Sequence, residues 1–253
     1  MSEVHIIPDE PTPIRRRGMR LTTLMVAVLI IGALVGVLGR AVNQAREAGR
    51  ASQCFRIKQI AVAFHNYHDI YGSFPPAYVA DSTGRPMHSW RVLILPFMGD
   101  SSLHGYSMAE PWDGPNNRKV LDRRPSVYHC PSRDCRASLT SYAAITGPGT
   151  AFPGPKSTRL GEIADGMDRT VLVAEVANVD IPWTEPRDLD VRTMSWVIND
   201  PSKPAISSFH VRAPTLLFAD GSVRGFRTFP SPKTLKAMTT ISGGEAVDLE
   251  KPH

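Results

Sequence analysis

The sequence lacks the motifs on which catalysis and nucleic-acid binding usually depend. It contains three cysteines among 253 residues, and aromatic residues make up 8%. Gly-x-Ser-x-Gly, a phosphate-binding loop, a dinucleotide fingerprint and an HExxH helix are absent from the sequence. The formal charge is +5, without a basic patch interleaved with aromatics in the C-terminal part. We therefore expect a protein that is not an enzyme, needs no cofactor and binds no nucleic acid.

Charge is also absent from residues 21–39, LTTLMVAVLIIGALVGVLG, which lie between Arg20 and Arg40. At about 1.5 Å per residue, a helix of this length spans roughly 28 Å, close to the ~30 Å hydrocarbon core of a bilayer. A buried helix of a soluble protein normally keeps a polar face, which this segment lacks. The sequence therefore predicts a single-pass transmembrane helix in the cytoplasmic membrane, with the lipid bilayer as its partner.

Residues 1–20 are predicted to form a disordered, basic leader. A cleaved secretory signal would have a shorter apolar core followed by a small-residue cleavage site, so we expect the span to be kept as an anchor. The numbers of basic residues on the two sides are similar, but the compact RRR cluster at 15–17 directly precedes the span. This cluster, and the cysteines of the long C-terminal part, favour a domain outside the cytoplasm.

Residues 40–71 are predicted to continue the same helix as an amphipathic extension. The apolar positions recur at offsets of three, four and seven, the period of one helical face. These positions are Ile57, Ile60, Ala61, Phe64, Tyr67, His68 and Tyr71. Gly72 and the proline pair at 75–76 should end the helix, because glycine permits a left-handed cap and proline cannot continue a helix.

Residues 72–253 are predicted to form one loop-rich domain of short elements, since most of the 22 prolines and 19 glycines lie beyond residue 70. Residues 88–98 fit either a buried strand or a short helix. Residues 140–146 and 169–177 are apolar and β-rich, which predicts central strands. A hairpin is predicted across Asp220-Gly221, and a terminal helix over 231–241.

Several stretches resemble known families. A basic leader ending in RRRG, an apolar span and an amphipathic extension of the same helix resemble type IV prepilins and pseudopilins. Four other features resemble a large, uncharacterised planctomycete family, domain family 1559, some of whose members have an old solute-binding label. These features are SQCFRIKQIAVAFHNYHDIYGSFPPAYVADSTGRPMHSWRVLILPFM, EPWDGPNN, IPWTEPRDL, and His210 followed after nine residues by Asp220-Gly221. The resemblance covers about residues 15–247.

This resemblance implies a pilin-like α+β fold, in which the long N-terminal helix packs on an antiparallel sheet with long loops, and it favours a helix at 88–98. In the prepilin pattern Gly18 is the last leader residue and Met19 the first mature one. The fifth mature position, normally a glutamate that pairs with a neighbouring subunit's amine, is Thr23. Arg20 adds a cation at the second position. Thr23 and Arg20 both depart from the prepilin pattern, and they argue against cleavage after Gly18 and against a long filament built by this chain alone.

Two groups of polar residues are candidates for metal or ligand binding, and each has a plainer explanation. His65, His68 and Asp69 lie within one helical turn, a spacing that metal ligands use, but His68 falls on the apolar face, which favours a hydrogen-bonded core histidine. Asp220 is expected to form a turn, with a ligand-binding role beside His210 as the alternative. No metal site is predicted.

The two tryptophan-containing motifs are candidate ligand-binding loops. EPWDGPNN offers Trp112, Asp113, Asn116 and Asn117, although it lacks the alternating acidic ligands of a calcium hand. IPWTEPRDL offers Trp183. Exposed tryptophans on one face, including Trp90, would indicate a binding module, whereas buried tryptophans would indicate a structural role.

The three cysteines, Cys54, Cys130 and Cys135, predict one disulfide outside the cytoplasm. Cys130 is expected to take part, and the sequence leaves open whether its partner is Cys54 or Cys135. CPSRDC has no second ligand pair with which to complete a zinc site.

Two functions fit these observations. The first is a membrane-anchored, pilin- or pseudopilin-like structural or interaction protein of a secretion or surface assembly, such as one resembling type II secretion. Its partners would be other pilin-like subunits or secretion components. The alternative is a membrane-tethered module that binds a solute or glycan.

Overall fold

The computed structural model describes residues 21–130, 136–209, 214–226 and 228–245, without the side chains of 21–23 and 46–54. The chain divides into two compact units, residues 1–48 and 49–253. The predicted leader, with Gly18 and Met19, lies outside the described residues, as does the side chain of Thr23.

Helix α1 spans Leu21–Tyr71, 51 residues in all. Within the first unit its apolar side chains are exposed, for example Leu29 at 71% and Val37 at 65%. The stretch Leu24–Ala45 has a mean hydropathy of 2.4 and is long enough to cross a membrane. The predicted apolar helix is confirmed, and its length and composition suit a membrane span.

Within the second unit, one face of α1 is buried. Ile57, Ile60, Ala61 and Phe64 are at most 5% exposed, as the apolar period predicts. Tyr71, predicted on the same face, is 61% exposed. It is the last residue of α1, and its ring contacts the half-buried Tyr67 and Phe97 at the border of the core. Gly72, with φ +74°, ends the helix as expected.

The next elements are a two-stranded antiparallel sheet and a short helix. Strands β1 (Tyr78–Ala80) and β2 (Pro86–Ser89) pair with each other, and α2 (Trp90–Ile94) follows directly. Ser89 caps α2 by accepting a hydrogen bond from the Arg91 N–H. The short helix favoured within 88–98 is therefore confirmed.

A five-stranded sheet forms the centre of the second unit, in the order β5-β3-β4-β6-β7. Its strands are β3 (Tyr142–Thr146), β4 (Val171–Glu175), β5 (Leu189–Asp190), β6 (Thr215–Phe218) and β7 (Val223–Gly225). The sheet was predicted to be antiparallel, but β3 and β5 pair in parallel. After β4 the chain returns on the far side of β3 and runs opposite to β4, which aligns β5 with β3.

The central strands are buried on both faces, which explains their continuous apolar sequence. One face shares a core with α1, including Leu172 and Leu217. The other face packs on the terminal helix α3 (Pro232–Ala237) through Leu235 and Met238. As predicted, α3 begins after Ser231, which caps it, but it ends four residues earlier than expected.

The β6–β7 hairpin is confirmed, although its turn differs from the tight turn expected for Asp-Gly. Only Gly221 has a positive φ, +81°. The Gly221 N–H donates to Phe218 O, and the Phe218 N–H donates to Ser222 O. This pattern matches a longer hairpin loop with a left-handed glycine at its end.

Candidate functional site

The EPWDGPNN motif forms a loop whose polar groups bind one another. The buried Asn117 side chain accepts from the Ser107 N–H at 2.7 Å and donates to the carbonyls of Ser107, Glu110 and Pro111. The Glu110 carboxylate accepts from the N–H groups of Asn116 and Asn117, both at 2.8 Å. The Asn117 oxygen, one of those that suggested calcium binding, therefore stabilises the loop itself.

The other candidates in this motif lie nearer the surface. Asp113 is 3.9 Å from the exposed guanidinium of Arg118, a spacing that contributes little in water. Trp112 is half-buried, and its backbone N–H donates to the carbonyl of Met87 in β2. These contacts attach the loop to the small sheet.

Two of the three candidate tryptophans are fully buried. Trp90 stacks on Phe64 of α1 with ring centroids 5.1 Å apart. Trp183 lies parallel to Tyr128, and its indole N–H donates to Leu121 O at 2.9 Å. Both rings add apolar area to the core and neither presents a face for a ligand, the arrangement that indicates a structural role.

A buried ion pair in the core joins Arg91 of α2 to Asp188, and no sequence motif predicted it. Arg91 Nη2 lies 2.5 Å from Asp188 Oδ1, and the two side chains are 0% and 3% exposed. The same oxygen accepts from Trp90 Nε1 at 3.1 Å and from the Ala144 N–H at 2.8 Å. Burial raises the pKa of Asp188, and the Arg91 guanidinium and the two N–H donors oppose that rise.

Arg91 also donates to backbone carbonyls from two other parts of the domain. Its Nε donates to Tyr142 O in β3, and its Nη1 and Nη2 donate to the carbonyls of Glu185 and Arg187. A lone charge inside the apolar run SWRVLILP was the available sign of a buried ion pair. Its partner is 97 residues away in sequence, which spacing alone cannot reveal.

A cleft of about 350 Å³ lies over Asp188. Its walls come from β1, the end of β3, and the segment that contains IPWTEPRDL and β5. The lining residues are Ala77, Tyr78, Thr146, Pro186, Arg187, Asp188 and Asp190. Thus IPWTEPRDL does line a cleft, through residues other than Trp183.

Two glycines allow the chain to approach closely beside this cleft. A Cβ on Gly147 (φ +125°) would lie 2.7 Å from Val191 Cγ2 and 3.3 Å from Asp190 Oδ1. A Cβ on Gly154 (φ +117°) would lie 3.4 Å from the Tyr78 hydroxyl. Larger residues at either position would displace the cleft walls.

The histidines of α1 pack against an aromatic ring. The rings of His65 and His68 lie 5.8 and 5.9 Å from that of Phe74, both edge-on. His68 Nδ1 is 3.9 Å from the exposed Asp69 carboxylate. In the described part of the chain, no group of three His, Cys, Asp or Glu side chains is placed to hold a metal ion.

Asp220 stabilises its own turn. Its Oδ1 accepts from the Ser222 N–H at 2.8 Å, and its Oδ2 is 3.5 Å from Arg224. A Cβ on Gly221 would lie 3.4 Å from His65 Nε2, so the turn packs on α1. His210 lies outside the described residues, and its relation to Asp220 stays a prediction.

Cys130 is buried and follows a segment that contacts α1. The contact is made by the Arg56 guanidinium, which donates to Ser126 O and His129 O. Cys135 and the Cys54 side chain lie outside the described part. The disulfide and its pairing remain predictions.

Residues 43–155 match the family model SBP_bac_10, described as a protein of unknown function (DUF1559). This match confirms the resemblance to the uncharacterised family over that segment. Neither a curated protein nor a solved structure matches the chain.

Proposed function

We propose that this protein is a membrane-anchored, pilin- or pseudopilin-like component of a secretion or surface assembly, with a structural or interaction role and no enzymatic activity. One observation supports the proposal most strongly. A single helix, α1, has exposed apolar side chains over Leu24–Ala45 and a buried face from Ile57 to Phe64. The same element thus suits lipid in one unit and the core of a folded domain in the other.

Contacts of the polar motifs within the fold support a structural or interaction role. Asn117 and Glu110 are occupied inside their loop, and Asp220 stabilises a turn. Trp90 and Trp183 are core residues. These residues of the family-type motifs therefore stabilise the fold, as expected for a domain that presents a stable surface to other proteins.

The proposed topology places the N-terminus in the cytoplasm and the second unit outside. The compact arginine cluster at 15–17 favours this orientation. The proposed partners within the bilayer are other pilin-like helices, which would contact the exposed apolar surface of α1.

In-cell photo-crosslinking tests the assembly role. A photoreactive residue in place of Leu34, which is 56% exposed in the apolar stretch, should give specific adducts with one or a few membrane proteins. The same residue in place of Lys156, exposed on the second unit, is the control. Adducts only with lipid at Leu34 would indicate a solitary anchor and contradict the assembly role.

Thr23→Glu tests how far the chain assembles with itself. In a chain cleaved after Gly18, a glutamate here would pair with the N-terminal amine of Met19 in a neighbouring copy, a cation whose unpaired burial costs at least ~2.5 kcal/mol. Any ladder of crosslinked oligomers should therefore increase in the variant. Abundant polymer in sheared wild-type cells, unchanged by Thr23→Glu, would contradict the expectation that this chain does not build a long filament alone.

A further inference from the structure

The two carboxylate oxygens of Asp188 have very different surroundings. The three donors described above, from Arg91, Trp90 and Ala144, all reach Oδ1. Across the described ranges no donor reaches Oδ2, although the side chain is only 3% exposed. Asp188 lines the 350 Å³ cleft, so its remaining surface faces that space. An oxygen that opens onto this cleft accepts its hydrogen bond from whatever fills the cleft, and a ligand hydroxyl would provide the donor.

We propose that this cleft binds a neutral, hydroxyl-rich molecule of monosaccharide size, with a ligand hydroxyl donating to Asp188 Oδ2. The site is independent of the proposed assembly role, because it involves neither the apolar stretch of α1 nor any contact with another subunit.

The charges of the lining residues select for a neutral ligand. Arg91 already pairs with Asp188, and Arg192 binds Asp190 through two nitrogens. The Arg187 guanidinium pairs with Glu185 at 2.8 Å. A cation would gain little from carboxylates that are already neutralised, and an anion would meet two carboxylates at short range. Hydroxyl groups can bind such paired charges without adding a charge of their own.

The walls suit one face of a sugar ring. Ala77, Pro186 and the ring of Tyr78 provide apolar surface, against which the C–H groups of a pyranose can pack. The Thr146 hydroxyl donates to Leu189 O at 3.3 Å and can still accept a hydrogen bond. A volume of about 350 Å³ lies at the lower end of the ~300–1,000 Å³ range of ligand pockets.

The cleft is also held in place before a ligand arrives. Arg91 connects α2, β3 and the carbonyls at 185 and 187, and Gly147 lets the β3 end approach Val191. A preformed site loses little ordering entropy on binding, which favours recognition of a small ligand.

Binding should be measured with the full chain in nanodiscs, because alkyl maltoside and glucoside detergents carry competing sugars. The probes are glucose, galactose, mannose and N-acetylglucosamine at about 20 mM, above a roughly millimolar Kd, detected by saturation-transfer NMR and titration calorimetry. Glucosamine and glucuronate serve as cationic and anionic counterparts of glucose. We expect at least one neutral sugar to bind, and to bind better than its charged counterpart.

Two variants locate the ligand. Tyr78→Ala should weaken binding about tenfold or more through loss of the ring and hydroxyl, whereas Tyr71→Ala, a change at an exposed tyrosine of α1, should not. Asp188→Asn is the direct variant, but its fold must be checked by thermal unfolding because it alters the Arg91 pair. If Asp188→Asn unfolds, the loss of affinity in Tyr78→Ala still tests the proposal.

Three results would overturn the proposal. The first is no binding of any neutral sugar at this concentration. The second is preference for glucosamine or glucuronate over glucose. The third is equal loss of affinity in the Tyr78 and Tyr71 variants.

Discussion

The contact between Arg91 and Asp188 shows how one charged residue can organise an apolar core. Arg91 is 0% exposed and donates to a carboxylate, a hydroxyl and three backbone carbonyls. Removing one member of such a pair leaves an uncompensated buried charge and several acceptors without donors. The pair therefore determines how α2, β3 and the loop before β5 fit together.

Arg91→Met should lower the free energy of unfolding by about 3–5 kcal/mol, because Asp188 would remain buried without its partner. Arg192→Met is the matched control, since its 68% exposed side chain pairs with Asp190 at the surface, where such pairs contribute little to stability. Urea unfolding of both variants measures the difference. Similar losses would show that the core does not depend on the buried pair.

His88 provides a pH-dependent contact in the small sheet. Its Nε2 is 3.0 Å from Met108 O and its Nδ1 is 2.8 Å from the Tyr106 hydroxyl. A carbonyl only accepts, so Nε2 bears the proton and Nδ1 accepts from Tyr106. Burial lowers the pKa of His88 below its ordinary value of 6.5, which keeps the ring neutral.

Stability should therefore fall as the pH drops below about 6.5. Below this pH the unfolded chain protonates His88, whereas the folded chain keeps the ring neutral. The contribution of His88 to the free energy of unfolding is therefore present above the unfolded pKa and is lost as the pH falls toward the lower folded pKa. The free energy of unfolding falls by at most ~1.4 kcal/mol per pH unit in this window. His88→Gln should flatten the dependence of Tm on pH between about 7 and 5. His104→Gln, at an exposed histidine, is the control. An unchanged dependence in His88→Gln would contradict this role.

At the scale of elements, the second half of α1 separates a buried face from an exposed one. Phe64 is 1% exposed and contacts Phe74, Trp90 and Phe152 with ring centroids 5.1 to 5.9 Å apart. Val62, two residues earlier, is 57% exposed. The face that the helical period predicts is thus the face that builds the core.

Phe64→Asp should unfold the second unit, since burial of an unpaired carboxylate costs several kcal/mol, roughly 3 or more, in addition to the lost ring. Val62→Asp places the same charge on the other face and should leave Tm nearly unchanged. Thermal unfolding followed by circular dichroism distinguishes the two. A folded Phe64→Asp variant would mean that α1 does not pack as described.

The turn between β6 and β7 depends on glycine. Gly221→Ala should destabilise the fold by about 1–2 kcal/mol, the usual cost of a left-handed conformation for a residue with Cβ, because φ is +81° and His65 lies close by. Gly161→Ala, where nothing lies within 4 Å of the added carbon, is the control for glycine replacement. Equal stabilities would indicate that the turn relaxes freely.

Local patterns predicted the elements whose causes are local. The helix period of residues 57–64, the Asp-Gly hairpin and the Ser-Pro start of α3 depend on neighbouring residues only. The parallel pairing of the two-residue strand β5 and the Arg91–Asp188 contact join distant segments, and no periodicity encodes them. The cleft was missed for the same reason, because β1, β3 and the 186–190 segment meet only in the folded chain.

The two units of the chain suit different solvents. The Leu24–Ala45 stretch exposes large apolar side chains throughout, an arrangement that is stable in lipid and prone to aggregation in water. The described part of residues 49–253 contains two clusters of buried apolar residues that pack on the sheet. The proposed arrangement, with the apolar stretch in the bilayer and the second unit folded in water, suits both units.

The most direct test of this account is the location of the full chain in intact spheroplasts. External protease should digest the second unit, and a fragment with the apolar stretch should stay in membranes washed with carbonate, while a cytoplasmic marker protein remains intact. Release of the whole chain by carbonate would contradict the anchor. Full protection of a membrane-bound chain, cleaved only after lysis, would contradict the placement of the domain outside the cytoplasm.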